Sequence, residues 1–164
     1  MTFTDKPNAL SMAEWDGPVI LKGVMTPEDA QTAVDFGADG IVVSNHGGRQ
    51  LDGALSVAEA LPAIRQQVGD QIAMFADSGI RTGMDIFRLL ALGADACWIG
   101  RAFLYGLGAA GQAGASKAID ILHKELDVAM ARTGCRSLSD IGPDRITCGI
   151  PLDAPLNTSI RSTL

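Results

Sequence analysis

Gly40-Ile41-Val42-Val43-Ser44-Asn45-His46-Gly47-Gly48-Arg49-Gln50-Leu51-Asp52-Gly53 opens as an apolar run and closes as a polar loop. Three consecutive β-branched residues, Ile41 to Val43, suit a strand buried on both faces. Directly beyond them, His46 and Arg49 put a proton-transfer group and a cation three residues apart. Gly47 and Gly48 let the backbone bend sharply there and let a ligand come close. A base and a carboxylate-binding arginine at a strand's end suit chemistry on a small carboxylic acid.

The same unit recurs on either side. Upstream, residues 18–24 read as a buried strand ending near Lys22. Thr26-Pro27-Glu28-Asp29 then starts a helix, with a capping threonine, a first-turn proline and acids near the positive end. That helix carries Ala30, Ala33, Val34 and Phe36 and stops at Gly37. Downstream, residues 55–68 form a second helix, capped by Ser56 with Glu59 three residues on, and Pro62 bends or delays it. Residues 72–76 are a third strand, ending in Asp77-Ser78-Gly79-Ile80-Arg81. Residues 82–92 are a third helix, ended by Gly93. Residues 96–99 are a fourth strand, ending at Gly100-Arg101.

A glycine-rich stretch, 106–114, precedes a long helix expected from about Ala115 to Arg132. Ile119, Leu122, Leu126, Ala129 and Met130 make its apolar stripe, and Gly134 closes it. Ser137 to Ile141 resembles a short capped turn of helix. Residues 1–16 read as an irregular segment, with Trp15 as a lid on the first strand. Residues 17–148 form the domain, and 149–164 a frayed tail.

Strand and helix thus alternate four times, which argues for a parallel sheet with right-handed crossovers. Phe36-Gly-Ala-Asp-Gly and Leu92-Gly-Ala-Asp-Ala recur before the second and fourth strands. That near-repeat suits a (β/α) barrel, whose helices return to the next strand through short loops. The polar residues of interest all lie at the carboxyl ends of strands, where parallel α/β folds place their sites.

The 164 residues are enough for one core, so one domain is expected. A formal charge of -6 argues against nucleic acid or an anionic membrane as an electrostatic partner. No apolar run approaches the ~20 residues a spanning helix needs, and the first residues lack the apolar core of a signal peptide. Cys97, Cys135 and Cys148 lack metal-like spacing and read as reduced thiols of a cytosolic protein.

Lys22, in an otherwise apolar strand, needs a partner for its charge. It reads as a cation facing an electron-rich cofactor atom, against the plainer alternative of a stem on the core with its head in water. His46 reads as a catalytic base and Arg49 as a bidentate clamp on a carboxylate. Asp77, Ser78, Gly79 and Arg81, with Gly100 and Arg101 on the adjacent strand, offer turn amides and two arginines as a nest for phosphate. His123, within the long helix, reads as an ordinary solvated histidine. The stretch 106–115 follows no strand–helix fingerprint of a nucleotide loop.

Ser44-Asn-His-Gly-Gly-Arg-Gln-Leu-Asp-Gly53 resembles the active-site signature of the FMN-dependent α-hydroxy-acid oxidoreductases. The resemblance runs from about Gly17 to Ile141. Ala76-Asp-Ser-Gly-Ile-Arg81, Gly100-Arg-Ala-Phe-Leu-Tyr105 and Ala110-Gly-Gln-Ala-Gly114 are most similar to the bacterial L-lactate dehydrogenase branch. The resemblance implies FMN as cofactor and oxidation of an (S)-2-hydroxy acid, L-lactate above all, to a 2-oxo acid. It implies that His46 is the base, that Arg49 holds the substrate carboxylate and that Lys22 faces the flavin N1/O2 edge. It gives Ser44 a contact with the flavin ring, and Asp77 to Arg81, Gly100 and Arg101 the ribityl chain and phosphate. Whether His46 takes the α-proton or the hydroxyl proton is left open.

Family barrels have eight strands in about 250 residues, and this chain resembles the last four βα units. The first half normally supplies two substrate-binding tyrosines, flavin contacts and an aspartate that orients the histidine, and residues 1–16 are too few to hold them. The expectation is therefore a C-terminal half of a TIM barrel, weak or inactive alone, that self-associates or pairs with a complementary half. Any contact with an electron acceptor or the inner membrane, to which such relatives attach peripherally, would come through the other half. A non-catalytic FMN-binding half-barrel is the alternative. An IMP-dehydrogenase-like enzyme is a third reading, disfavoured because Cys97 lies inside a strand rather than on a strand-end loop.

Overall fold

The computed structural model describes residues 15–147. The expectations for residues 1–14, Cys148 and the tail lie outside them. Four strands form one parallel sheet in the order β1 (Ile20–Val24), β2 (Gly40–Val43), β3 (Ala73–Ala76), β4 (Ala96–Cys97). Between them run α1 (Pro27–Asp35), α2 (Val57–Val68) and α3 (Gly83–Ala91), and α4 (Arg101–Thr133) follows β4. This is the run of four βα units expected of half a (β/α) barrel.

The helix starts follow from their caps. Thr26 accepts from the Asp29 amide with Pro27 at the first position. Ser56–Glu59 and Thr82–Asp85 are reciprocal capping boxes that satisfy otherwise orphaned amides. Pro62 lies within α2.

Register separates the two sheet faces. Leu21, Ile41 and Met74 are aligned, as are Lys22, Val42, Phe75 and Ala96. Ile41, Val43, Met74 and Ala76 pack with Val57, Leu61, Ile64, Val68 and Leu89 of the helices into the main core. The opposite face carries Ile20, Lys22, Val42, Phe75 and Trp98. Phe75 and Trp98 rings lie 5.5 Å apart. β2 is buried throughout, as its apolar run suggests, because it has a strand on each side.

β1 differs from the expected buried strand. It alternates exposed and half-buried residues up to Val24, because it is an edge strand among the described residues. β4 is shorter than expected, ending at Cys97. Trp15 is largely exposed, its indole against Gly17.

The recurring Gly-Ala-Asp phrases have a shared physical role. Asp39 Oδ2 accepts the Val19 amide at 2.7 Å, and Asp95 Oδ2 accepts the Met74 amide at 2.7 Å. Each aspartate thus ties its own strand's entry to the neighbouring strand.

The largest departure is α4. Helix begins at Arg101 rather than about Ala115 and breaks at Ala110 and Gly111. The limbs fold back on each other where Gly106 meets Gly114; a Cβ on either would collide with the other's backbone. Leu122 and Ala129 of the expected stripe are buried, but Ile119 is exposed.

Candidate functional site

A cleft of about 680 Å³ opens at the carboxyl ends of the strands. Lys22, His46, Arg49, Asp77, Ser78, Gly79, Arg81, Gly100 and Arg101 all line it. The fold therefore brings nine of the ten residues singled out in the sequence to one rim. The tenth, Ser44, lies just beneath, 1% exposed.

Ser44 is the hub. Lys22 Nζ donates to its Oγ at 2.8 Å, and the His46 amide donates to it at 3.2 Å. Lys22 also pairs with Asp77 Oδ2 at 2.9 Å. The charge in this strand thus has a carboxylate partner, while 38% of the side chain remains exposed in the cleft. Burial pushes the Asp77 pKa up. Hydrogen bonds from Ser44, Lys22 and Ser78 and the Lys22 charge outweigh it and hold the carboxyl below its usual range.

The His46 turn is built by its own sequence. Asn45 Oδ1 accepts the Gly47 amide at 3.0 Å and the Gly48 amide at 3.2 Å. Asn45 Nδ2 donates to the Leu55 carbonyl. The result is a 3₁₀ turn, His46–Gly48. His46 itself takes φ +56, a left-handed conformation uncommon outside glycine. Its neighbour Gly47 also has positive φ, and a Cβ there would stand 2.7 Å from Arg101 Nη2. That guanidinium instead donates to the Gly47 carbonyl at 3.1 Å.

Gly23 was not singled out in the sequence, yet it belongs to this site. It has φ +98 at the irregularity in the β1–β2 register, and a Cβ on it would stand 3.2 Å from His46 Cε1. The imidazole lies over bare backbone. A glycine inside a strand is the signal for such close approach.

The other side of the cleft suits an anion. The cleft as a whole carries four cationic side chains and one carboxylate, although the whole chain carries a charge of -6, and Arg81 and Arg101 stand on this side. Nothing lies within 4 Å of where a Cβ would stand on Gly79 or Gly100, so backbone is open to close approach. Gly100 caps α4 without a side-chain hydrogen bond, and the first amides of a helix are donors without intrahelical partners. Those donors, with Arg81 and Arg101, fit a phosphate group. Trp98, Ile99, Leu104 and Tyr105 add an apolar wall, which suits a flat ring attached to that phosphate.

Burial pushes the Cys97 thiol up to about 12, which disfavours the thiolate a nucleophile needs. Among the described residues no acidic, histidine or cysteine cluster is arranged for a metal.

Residues 8–148 match the family model described as FMN-dependent dehydrogenase. A mandelate oxidase mutant with the monooxide FMN adduct superposes with a TM-score of 0.79 at 45% identity, covering 82% of this chain and 43% of that one. A mandelate oxidase mutant with (S)-mandelic acid gives 0.79 at 45%, covering 81% and 40%. Mandelate oxidase with benzoyl-formic acid gives 0.78 at 45%, again covering 81% and 40%. The chain thus spans less than half the length of these solved relatives. Matched over most of its length, it belongs to the FMN-dependent dehydrogenase family.

Proposed function

We propose that this chain holds FMN by its phosphate end and supplies the proton-transfer and carboxylate-binding groups for oxidation of an (S)-2-hydroxy acid, L-lactate, to the 2-oxo acid. The observation that carries the reading is the shared rim. His46 and Arg49 stand on the same cleft as Arg81 and Arg101. Arg81, Arg101, Gly79 and the α4 N-terminus would take the phosphate. Bound FMN supplies the electron-pair acceptor that protein side chains lack. Arg49 would hold the substrate carboxylate through paired N–H donors. His46 would then accept a proton released as the carbinol carbon becomes a carbonyl. Lys22, exposed into the cleft, would favour negative charge developing nearby.

The lactate assignment rests on the residues 76–81, 100–105 and 110–114. A second reading, an aromatic 2-hydroxy acid, is favoured by the mandelate oxidase neighbours. The test uses the purified full chain, alone and mixed with the separately expressed N-terminal half of a solved relative. FMN uptake is followed by flavin fluorescence, and anaerobic bleaching by L-lactate is compared with (S)-mandelate. We expect loose FMN uptake by the chain alone and lactate-dependent bleaching in the mixture. His46→Ala should cut the bleaching rate by roughly 10²-fold or more while FMN uptake stays. No uptake at high micromolar FMN would overturn the reading; faster bleaching by mandelate that persists when the added half comes from a relative that does not oxidise mandelate would replace lactate. Bound flavin that neither acid bleaches would favour the non-catalytic half-barrel.

A further inference from the structure

We propose that Ser78 is a positioning residue for His46: its hydroxyl locks the turn that carries the imidazole onto the Lys22–Asp77 ion pair at the tip of β3. This rests on the reading of His46 as the base.

Among the described residues, His46 and Ser78 are the two non-glycine residues with positive φ, +56 and +71. Both conformations are strained for an L-residue and persist only when surrounding contacts hold them. The two strained positions are joined. The Gly47 amide, next to His46, donates to Ser78 Oγ at 2.9 Å, and Ser78 Oγ donates to Asp77 Oδ1 at 2.7 Å. Asp77 Oδ2 in turn pairs with Lys22. Ser44 does the parallel work one residue earlier, accepting the His46 amide and Lys22. Two serine hydroxyls thus hold the amides of His46 and Gly47, and both lead back to one ion pair.

The neighbouring Gly79 has φ +79. A glycine at 78 would adopt the same conformation without strain. A serine in that conformation needs a use for its hydroxyl, and both its donor and an acceptor position are spent on holding the turn. Ser78 is therefore assigned to the turn rather than to a cofactor atom.

The chain has two histidines. His123, exposed on α4, is an internal reference for imidazole 1H–15N spectra of the ¹⁵N-labelled full chain. In Ser78→Ala the strain stays and the hydroxyl goes; in Ser78→Gly both go. We expect the His46 imidazole cross-peaks to move or broaden in both variants while those of His123 stay put. His46 peaks that match the parent in either variant would overturn the proposal. Should Ser78→Ala fail to fold, Ser78→Gly carries the test, because it relieves the backbone. FMN uptake and bleaching by the parent chain are read separately, so a failure of the proposed function leaves the His46 comparison intact.

Discussion

His46 sits over a missing side chain. A methyl group on Gly23 would stand 3.2 Å from its Cε1 and press the ring by a few tenths of an ångström, and φ +98 is a conformation L-residues rarely adopt. Gly23→Ala should therefore cost about 1 kcal/mol or more in stability through backbone strain. It should also displace the ring, lowering substrate bleaching in the assembled mixture more than FMN uptake. An unchanged bleaching rate would show that the ring has slack. Asp77 gives a pH signature. Its carboxyl is held below the usual range in the folded chain, so on acidification the unfolded chain takes up the proton first. The stabilisation is complete above the ordinary carboxylate value of about 3.9 and is lost as pH falls through the lower folded value. The stability difference between the parent and Asp77→Asn should be largest near neutral pH and shrink in acid, as read by urea unfolding; a constant difference would sink the linkage. The polar tips were legible in the sequence because His46, Arg49, Arg81 and Arg101 stand in short polar loops that follow apolar strands. Gly23 and the work of Ser78 were not, since each is defined by a contact between segments more than twenty residues apart.

Elements repeat this pattern. The Gly-Ala-Asp near-repeat was visible as text, and it points to a short return loop. That each aspartate grips the amide of a neighbouring strand's entry is visible only in the fold. The two grips differ in burden. Asp95 also binds Arg65 Nη2 at 2.8 Å, and its amide partner Met74 is fully buried. Asp39 serves the more open Val19 amide. Asp95→Ala should cost about 1–3 kcal/mol by leaving the amide of the buried Met74 unpaired, and Asp39→Ala less; equal losses in urea midpoints would refute the distinction. α4 departs from its expected boundary for a physical reason. Glycine is a poor helix former, so the run 106–114 reads as loop. Here two of its glycines serve a close crossing of two helical limbs, a tertiary use that outweighs local preference. The starts of the helices at Thr26, Ser56 and Thr82 are legible because each is a side-chain hydrogen bond encoded within four residues.

The whole molecule presents two different faces of one sheet. One is sealed by helices. The other exposes Ile20 and Trp98, each at 41%, beside Phe75, and Trp98 shares its cleft with Leu104 and Tyr105 on the first limb of α4. β1 and β4 each have a strand on one side among the described residues. Unpaired strand edges and exposed apolar side chains both favour association. Trp98 stands on that face and can report on it. The chain has two tryptophans, so Trp15→Phe leaves Trp98 as the single indole. Its emission in the dilute chain should be that of a partly hydrated ring. If a complementary half covers the face, emission should shift to the blue on mixing. If a second copy does, the shift should follow chain concentration alone. In either case Trp98→Asp, which puts a charge on the face, should weaken association without disturbing the helix-side core, so the capped helices keep their circular dichroism. A complex that forms while Trp98 emission stays put would place the contact elsewhere and leave Trp98 to the apolar wall of the cleft, where quenching of its emission by added FMN would show the flat ring beside it.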